Sequence, residues 1–471
     1  MRSDSLVKII TGSNEIELNL INLFDNIDEE KLSTIVKYIP SIDIEDNFDF
    51  MNMLFQKFED LFVKLNALFI RGNKNKCMYI PQTVKKLNIG TPFLFTSKET
   101  LNLEILNFMP RHSECDDENT IHNINFESIK EFRLCELVRY LSCIEKMVNL
   151  ELLDLFNLDD TINIAHLDKL NHFNGYTGFC ELPSNMTILS YDVYTIKPIP
   201  LRIKRLDLHF NFDIDTFTEF SCDDVVHLSI TSSISMKNVY CYFPNVIKLK
   251  IVSHDKDFTS RLINTCQNVQ RLHIHNVETF DCDLISSLND LNSLILWGEN
   301  DHCWICSDSV VYIEIRCITN KIELKTKKLM DFRMTPSNQN TNGIIIQSSQ
   351  KECLEKILIR CPYTYVNMSE LKTQELIIRT MSNDSILPSY YEILEICTNL
   401  LSSWLTYDVK TLIVDISDNK DDKIVIDRDN IYASYLTKLI IEQRSDQDDF
   451  DYTKYLTVSD NCEIIKKSSL I

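Results

Sequence analysis

The stretch Ile199-Pro200-Leu201-Arg202-Ile203-Lys204-Arg205-Leu206-Asp207-Leu208-His209-Phe210-Asn211 carries the pattern L-x-x-L-x-L-x-x-N, with Ile203, Leu206, Leu208 and Asn211 at the marked places. Leu206 and Leu208 are two residues apart, so an extended chain turns both to the same side. The apolar spacing recurs elsewhere. Leu182-Pro183 precedes Met186, Leu189 and Tyr191, and Ile80-Pro81 precedes Val84, Leu87 and Ile89. Phe243-Pro244 comes one place out of phase, before Val246, Leu249 and Ile251.

Such triads are common by chance. In 471 residues that are 44% apolar, about 40 are expected. Their spacing carries the weight. The middle residues fall at Leu68, Leu87, Leu106, Phe132, Leu153, Leu170, Leu189, Leu206, Leu228, Leu249, Leu272, Leu294, Ile313, Phe332, Ile357, Leu376, Leu394, Leu412 and Leu439. These 19 units recur every 20.6 residues on average, a period in the range of short repeats that each contribute one strand. Three longer gaps hold polar insertions, at Pro110–Ser128, Thr335–Gln350 and Ser417–Asp429. Two triads are poor: Leu170 has His172 in third place, and Leu376 has Thr373 in first place.

Stacked in parallel, these strands build a ribbon about 4.8 Å per repeat. The returns are too short for a full helix, so extended or 3₁₀ segments are expected, with short helices at Phe258–Cys266 and Asp283–Leu291. The repeats resemble the leucine-rich repeat family over residues 61–445, in the short proline-led form. The resemblance implies an α/β repeat solenoid: an irregular horseshoe or arc, parallel strands on its concave face, and a helical N-terminal cap. Asn211 is one of few asparagines at the family's ladder position. Ser233, His254, Val277 and Glu299 hold equivalent places, so that ladder is expected to be mostly missing.

A solenoid needs covered ends. Residues 1–60 are read as the helical cap and 446–471 as an acidic C-terminal cap or tail. Leu32, Ile35, Val36 and Ile39 recur at helical spacing before Pro40, and Leu54, Phe58, Leu61, Phe62 and Leu65 do so after it. With Ser41-Ile42-Asp43-Ile44-Glu45-Asp46 between them, residues 28–65 are similar to an F-box, although the usual Leu-Pro opening is absent. That resemblance implies a ubiquitin-ligase adaptor as partner and a substrate-receptor role as the alternative function.

Composition removes several chemistries. The chain has 7 Gly, 3 Ala and a net charge of −21, from 69 acidic residues against 48 Lys and Arg. There is no G-x-G-x-x-G, Walker A, G-x-S-x-G or H-E-x-x-H motif. No apolar run is long enough to span a bilayer, and the N-terminal residues lack a signal peptide's apolar core. The 16 scattered cysteines fit unpaired thiols in a reducing cytoplasm better than a disulfide framework. The sequons at Asn185, Asn367 and Asn383 then carry no meaning. The acidic balance argues against nucleic acid as partner. His302-Cys303-Trp304-Ile305-Cys306 supplies one C-x-x-C where structural zinc needs a second pair. His273 and His275 share a strand face with no fixed third ligand. No catalytic residue, metal or cofactor is assigned.

The residues flanking the inward ones point to solvent. Over the ten repeats from Leu189 to Leu376 these 30 positions hold nine basic residues against five acidic ones. The predicted binding strip comprises Arg205, His209, His227, Lys248, Lys250, Arg271, His273, His275, Trp297, Tyr312, Arg316, Lys356 and Arg360. A basic, aromatic-bearing strip on an acidic chain suits an acidic or phosphorylated protein partner. The expected function is a non-enzymatic protein-interaction scaffold.

Overall fold

Leucines two apart, repeated about every 20 residues, cannot bury themselves within one repeat, and stacking one strand on the next solves this for all of them. The computed structural model describes the chain except residues 1–6, 12–13, 19–36, 45–47, 71–76, 91–93, 109–122, 136–140, 157–162, 177–181, 194–198, 200–201, 212–216, 276–282, 300–301, 336–342, 351, 362–363, 383, 398–404, 407, 416–434, 445–457 and 470–471. It forms a β-solenoid of parallel strands with little helix, in two compact bodies, Met1–Phe212 and Asp213–Ile471.

In the first body Ile42, Leu68, Leu87, Leu106, Phe132, Leu153, Phe173, Leu189 and Leu206 stand in register on successive parallel strands. In the second body the same ladder runs from Leu228 through Leu249, Leu272, Leu294, Ile313, Phe332, Ile357, Leu376, Leu394, Leu412 and Leu439 to Ile464. Every rung except Ile464 is at most 2% exposed. Burying one such side chain contributes about 1.5–3 kcal/mol. The ladder therefore forms the core.

The middle residues match the sequence reading with one displacement. The rung after Leu153 is Phe173, not Leu170. Gly175 takes that strand's third place, where an added Cβ would lie 3.0 Å from both Leu155 Cβ and Leu155 O and 3.2 Å from Phe173 Cζ. The close approach of Leu155, together with the Phe173 ring, requires the glycine, and a search for apolar triads cannot register a glycine. At the other poor triad, Thr373 is fully buried and its hydroxyl donates to Glu375 O at 2.9 Å, so a polar residue fills an inward place without an unmet donor.

Each strand is entered through a shared carbonyl. Asn66 O accepts from Lys85 N at 2.8 Å and Lys86 N at 2.9 Å, and Ile247 O accepts from Gln270 N at 2.9 Å and Arg271 N at 3.0 Å. An asparagine ladder is also present, at a different corner from the one expected. Asn149 Nδ2 donates to Glu127 O at 2.7 Å, Asn245 to Asp223 O at 2.9 Å and Asn268 to Pro244 O at 2.8 Å; Asn185 donates to Asp168 O. These asparagines precede the strand, just ahead of the triad's first residue, rather than following it. There their amides meet the carbonyl of the turn below.

Among the described residues the returns hold little helix, and an α/β horseshoe is not shown. The described helices are short: α1 (Phe48–Phe58), α2 (Leu141–Ile144), α3 (Lys256–Thr265) and α4 (Asp283–Ser286). Asp255 caps α3, accepting from Phe258 N at 2.9 Å. Elsewhere the returns pair as small parallel sheets: His302–Ser307, Lys321–Thr326, Ile344–Ser348 and Val366–Asn367 form one. Thr218–Ser221 with Val239–Tyr242, and Cys77–Tyr79 with Leu94–Thr96, form two more. β-branched and aromatic residues in these returns favour extension over helix.

The ends differ from the helical expectation. Val7–Thr11 pairs antiparallel with Asn14–Leu18 and with Ser41–Ile44, so β-structure lies along the edge of the first parallel strand. Ser41–Ile44, read as an Asp-containing turn, is itself a strand in which Ile42 and Ile44 are buried. The Phe50–Leu65 helix is α1 plus a 3₁₀ turn at Glu59–Leu61. Asn52 Oδ1 accepts from Tyr79 N at 2.7 Å, and Glu59 accepts from Tyr79 Oη at 2.6 Å and from Gln82 N at 3.0 Å. The helix is thus hydrogen-bonded to the following repeat. The predicted helix turns at Leu32, Ile35 and Val36 lie outside the described residues. At the other end, Glu463–Ser469 adds a parallel strand beyond the last predicted repeat.

Candidate functional site

In the second body the exposed residues of each main strand alternate with the core ladder, as in Lys248–Ser253, where Lys248 and Lys250 are exposed and Leu249 and Ile251 are buried. Parallel register sets Lys248 beside His227 and Arg271, and Lys250 beside His273. His275 is followed in its row by Trp297 and then Arg316.

These flat groups form a stacked row. The His273 and His275 ring centroids are 4.3 Å apart, His275 and Trp297 are 4.5 Å apart, and the Arg316 guanidinium lies 5.6 Å from the Trp297 ring. Burial, followed by His275, Lys250 and Arg316, lowers the His273 pKa to about 4. Burial, Lys250 and Arg316 lower that of His275. Both imidazoles are neutral at pH 7, and each Nε2 is buried without a hydrogen-bond partner.

Three of the seven Lys and Arg in the predicted strip, Arg205, Arg316 and Lys356, are already paired with carboxylates. Arg316 Nε donates to Glu314 Oε1 at 2.7 Å, and Tyr312 Oη donates to Glu314 Oε2 at 2.7 Å. Burial pushes the Glu314 carboxyl up, but these two hydrogen bonds and the adjacent guanidinium groups outweigh it and hold the carboxyl below the usual range. Burial and the Glu314 carboxylate push the Tyr312 phenol up. Lys356 pairs with Glu375 at 3.0 Å, Arg333 with Asp331 at 2.9 Å and Arg379 with Glu395 at 2.8 Å.

Lys248, Lys250 and Arg271 differ. All three are exposed, on two adjacent strands, and none has a carboxylate within 4.0 Å among the described residues. Arg360 is likewise exposed and unpaired among those residues, but stands at a register shift on a more distant strand. Like charges side by side on a sheet destabilise it by on the order of 0.2–1 kcal/mol. The structure thus narrows the predicted strip to a cationic cluster bordered by an aromatic row.

Arg205 and His209 belong to the first body, where Arg205 pairs with Asp207 at 3.0 Å. That body contains a cluster the sequence reading missed. Arg133 Nε lies 3.1 Å from Asp154 Oδ2, and Asp154 is buried. Burial raises the Asp154 pKa against the pull of Arg133 and His172, and burial lowers that of His172. The strip was counted only from Leu189 onward. An earlier start would have included Arg133 and Asp154 among the outward positions.

The C-x-x-C residues lie on an extended strand, where positions three apart face opposite sides. Cys303 is buried and Cys306 half-buried on the opposite face, so the two sulfurs do not converge. Among the described residues no three His, Cys, Asp or Glu side chains are grouped to hold a metal ion, and no helix is long and apolar enough to cross a membrane.

The fold and the exposed row define a parallel β-solenoid with a charged, aromatic-bordered face. No protein-family model and no curated protein matches the chain.

Proposed function

We propose that this chain is a non-enzymatic protein-interaction scaffold, that its repeats are irregular relatives of leucine-rich repeats, and that it acts in the cytoplasm. The partner binds the exposed face of the second body's main sheet. One observation carries the reading: Lys248, Lys250 and Arg271 stand together without carboxylate partners, while Arg316, Arg333, Lys356 and Arg379 on the same sheet are each neutralised internally. An unneutralised cluster costs stability in the isolated chain, and an anionic partner offsets that cost.

The test is quantitative affinity capture from cell extract with the full chain and with a K248E/K250E/R271E variant, after thermal unfolding has shown both to be equally folded. The scaffold reading expects at least one stoichiometric protein to be retained by the unaltered chain and lost from the variant. Identical sets of captured proteins would rule out this face as the binding surface.

A further inference from the structure

Resting on that reading of the face, we infer that the cluster of Lys248, Lys250 and Arg271 receives a phosphoryl group on the partner, and that Trp297 receives an apolar side chain three or four residues away in the same segment. The geometry is a near-rectangle. Lys248 and Arg271 are lateral neighbours, as are Lys250 and His273. Lateral neighbours are about 4.8 Å apart at the backbone, and residues two apart along a strand about 6.8 Å.

Three cations at the corners of so small a cell can converge on one anion. A phosphoryl group suits it because it concentrates up to two negative charges and three acceptor oxygens at one point. A single carboxylate brings half that charge. The fourth corner, His273, is uncharged, so it adds nothing to the repulsion among the cations.

Trp297 lies two strands from Lys250 and one outward position further along, about 12 Å away. An extended peptide spans that distance in three to four residues. The indole is 37% exposed, with its ring held between His275 and Arg316. A held, partly exposed ring offers apolar area at little entropic cost. The segment recognised is therefore a phosphorylated residue followed or preceded, at that separation, by a large apolar one.

The test uses fluorescein-labelled synthetic nonapeptides of Gly and Ser with one leucine. The position four residues from the leucine carries Ser, Glu, phosphoserine or phosphotyrosine. Binding to the full chain is read by fluorescence polarisation at 0.15 M salt. At least one phosphopeptide should bind tenfold or more tightly than both the Ser and Glu peptides, and inorganic phosphate should compete. Lys250→Glu and Arg271→Glu should each weaken it at least tenfold, whereas Arg360→Glu should leave it within twofold. Trp297→Ala should weaken the leucine peptide at least threefold but not its leucine-free counterpart.

Equal binding of the Glu and phosphorylated peptides, an equal effect of Arg360→Glu, or no phosphate-dependent binding overturns the inference. Treating the captured partner with phosphatase separates the two readings. Capture that survives the treatment but is lost in K248E/K250E/R271E rejects the phosphoryl group and leaves the scaffold standing.

Discussion

Lys248 and Arg271 are lateral neighbours on adjacent parallel strands, both exposed and both without a carboxylate partner among the described residues. In a chain with 69 acidic residues against 48 Lys and Arg, acids to neutralise them are plentiful, and the sheet uses such acids elsewhere. On the proposed reading, the role of the surface rather than the needs of folding sets the pair.

Replacing either residue should therefore cost nothing. Arg271→Gln relieves repulsion and removes no described internal partner, so its unfolding free energy in urea should stay level or rise by about 0.2–0.5 kcal/mol. A loss above 1 kcal/mol would show a structural contact that the geometry does not contain.

Glu314 behaves in the opposite way. It is 8% exposed and accepts from both Tyr312 and Arg316. Glu314→Leu leaves a phenol and a guanidinium short of an acceptor, so equilibrium unfolding should register a loss of about 1–3 kcal/mol. A neutral result would mean that water replaces the carboxylate without cost.

Acid should act through His273. Its folded pKa is about 4, below the unfolded value of about 6.5, so folding favours the neutral ring. The resulting linkage costs no stability above pH 6.5. Stability falls as pH drops from about 6.5 to about 4 and changes no further from this group below that. His273→Gln should flatten the loss in that window, and an NMR titration of the His273 ring should centre near pH 4. A midpoint between 6 and 7 would contradict the burial seen here.

Gly175 is a packing requirement. An alanine methyl would sit 3.0 Å from Leu155 O and Leu155 Cβ, and backbone cannot give way cheaply. Gly175→Ala should destabilise by about 1–3 kcal/mol. The double change Phe173→Leu with Gly175→Ala should recover part of it by freeing the volume the ring occupies.

The asparagines before the strands are worth a hydrogen bond each. Asn245→Ala and Asn268→Ala should each cost about 1 kcal/mol in chemical denaturation, since each removes a donor to the carbonyl of the turn below. Full retention of stability in both would show that water satisfies these carbonyls equally well.

The strand ladder was legible because side-chain alternation is a local property. Leu249, Leu272 and Leu294 are inward for the same reason that their neighbours are outward, and a period near 20 residues brings them into register. The rung at Phe173 was not legible, because its third place is a glycine needed for the close approach of Leu155 on the neighbouring strand as well as for the Phe173 ring. Ser41–Ile44 was misread for a related reason: four residues between helical patterns give no sign of the Ala67–Ile70 strand they will join.

The sequence by itself determined a stack of parallel strands and the residues on its exposed face, since period and alternation belong to the chain. Only the tertiary structure decided which of those exposed cations are still available. Lys356 and Arg379 looked equivalent to Lys248, Lys250 and Arg271 along the chain, with no acid two residues away on the same strand. Their partners Glu375 and Glu395 stand on the next strand, about 3 Å away only once the strands are stacked, whereas Glu314 and Asp331 lie two residues from Arg316 and Arg333 on one strand, a spacing the chain itself holds.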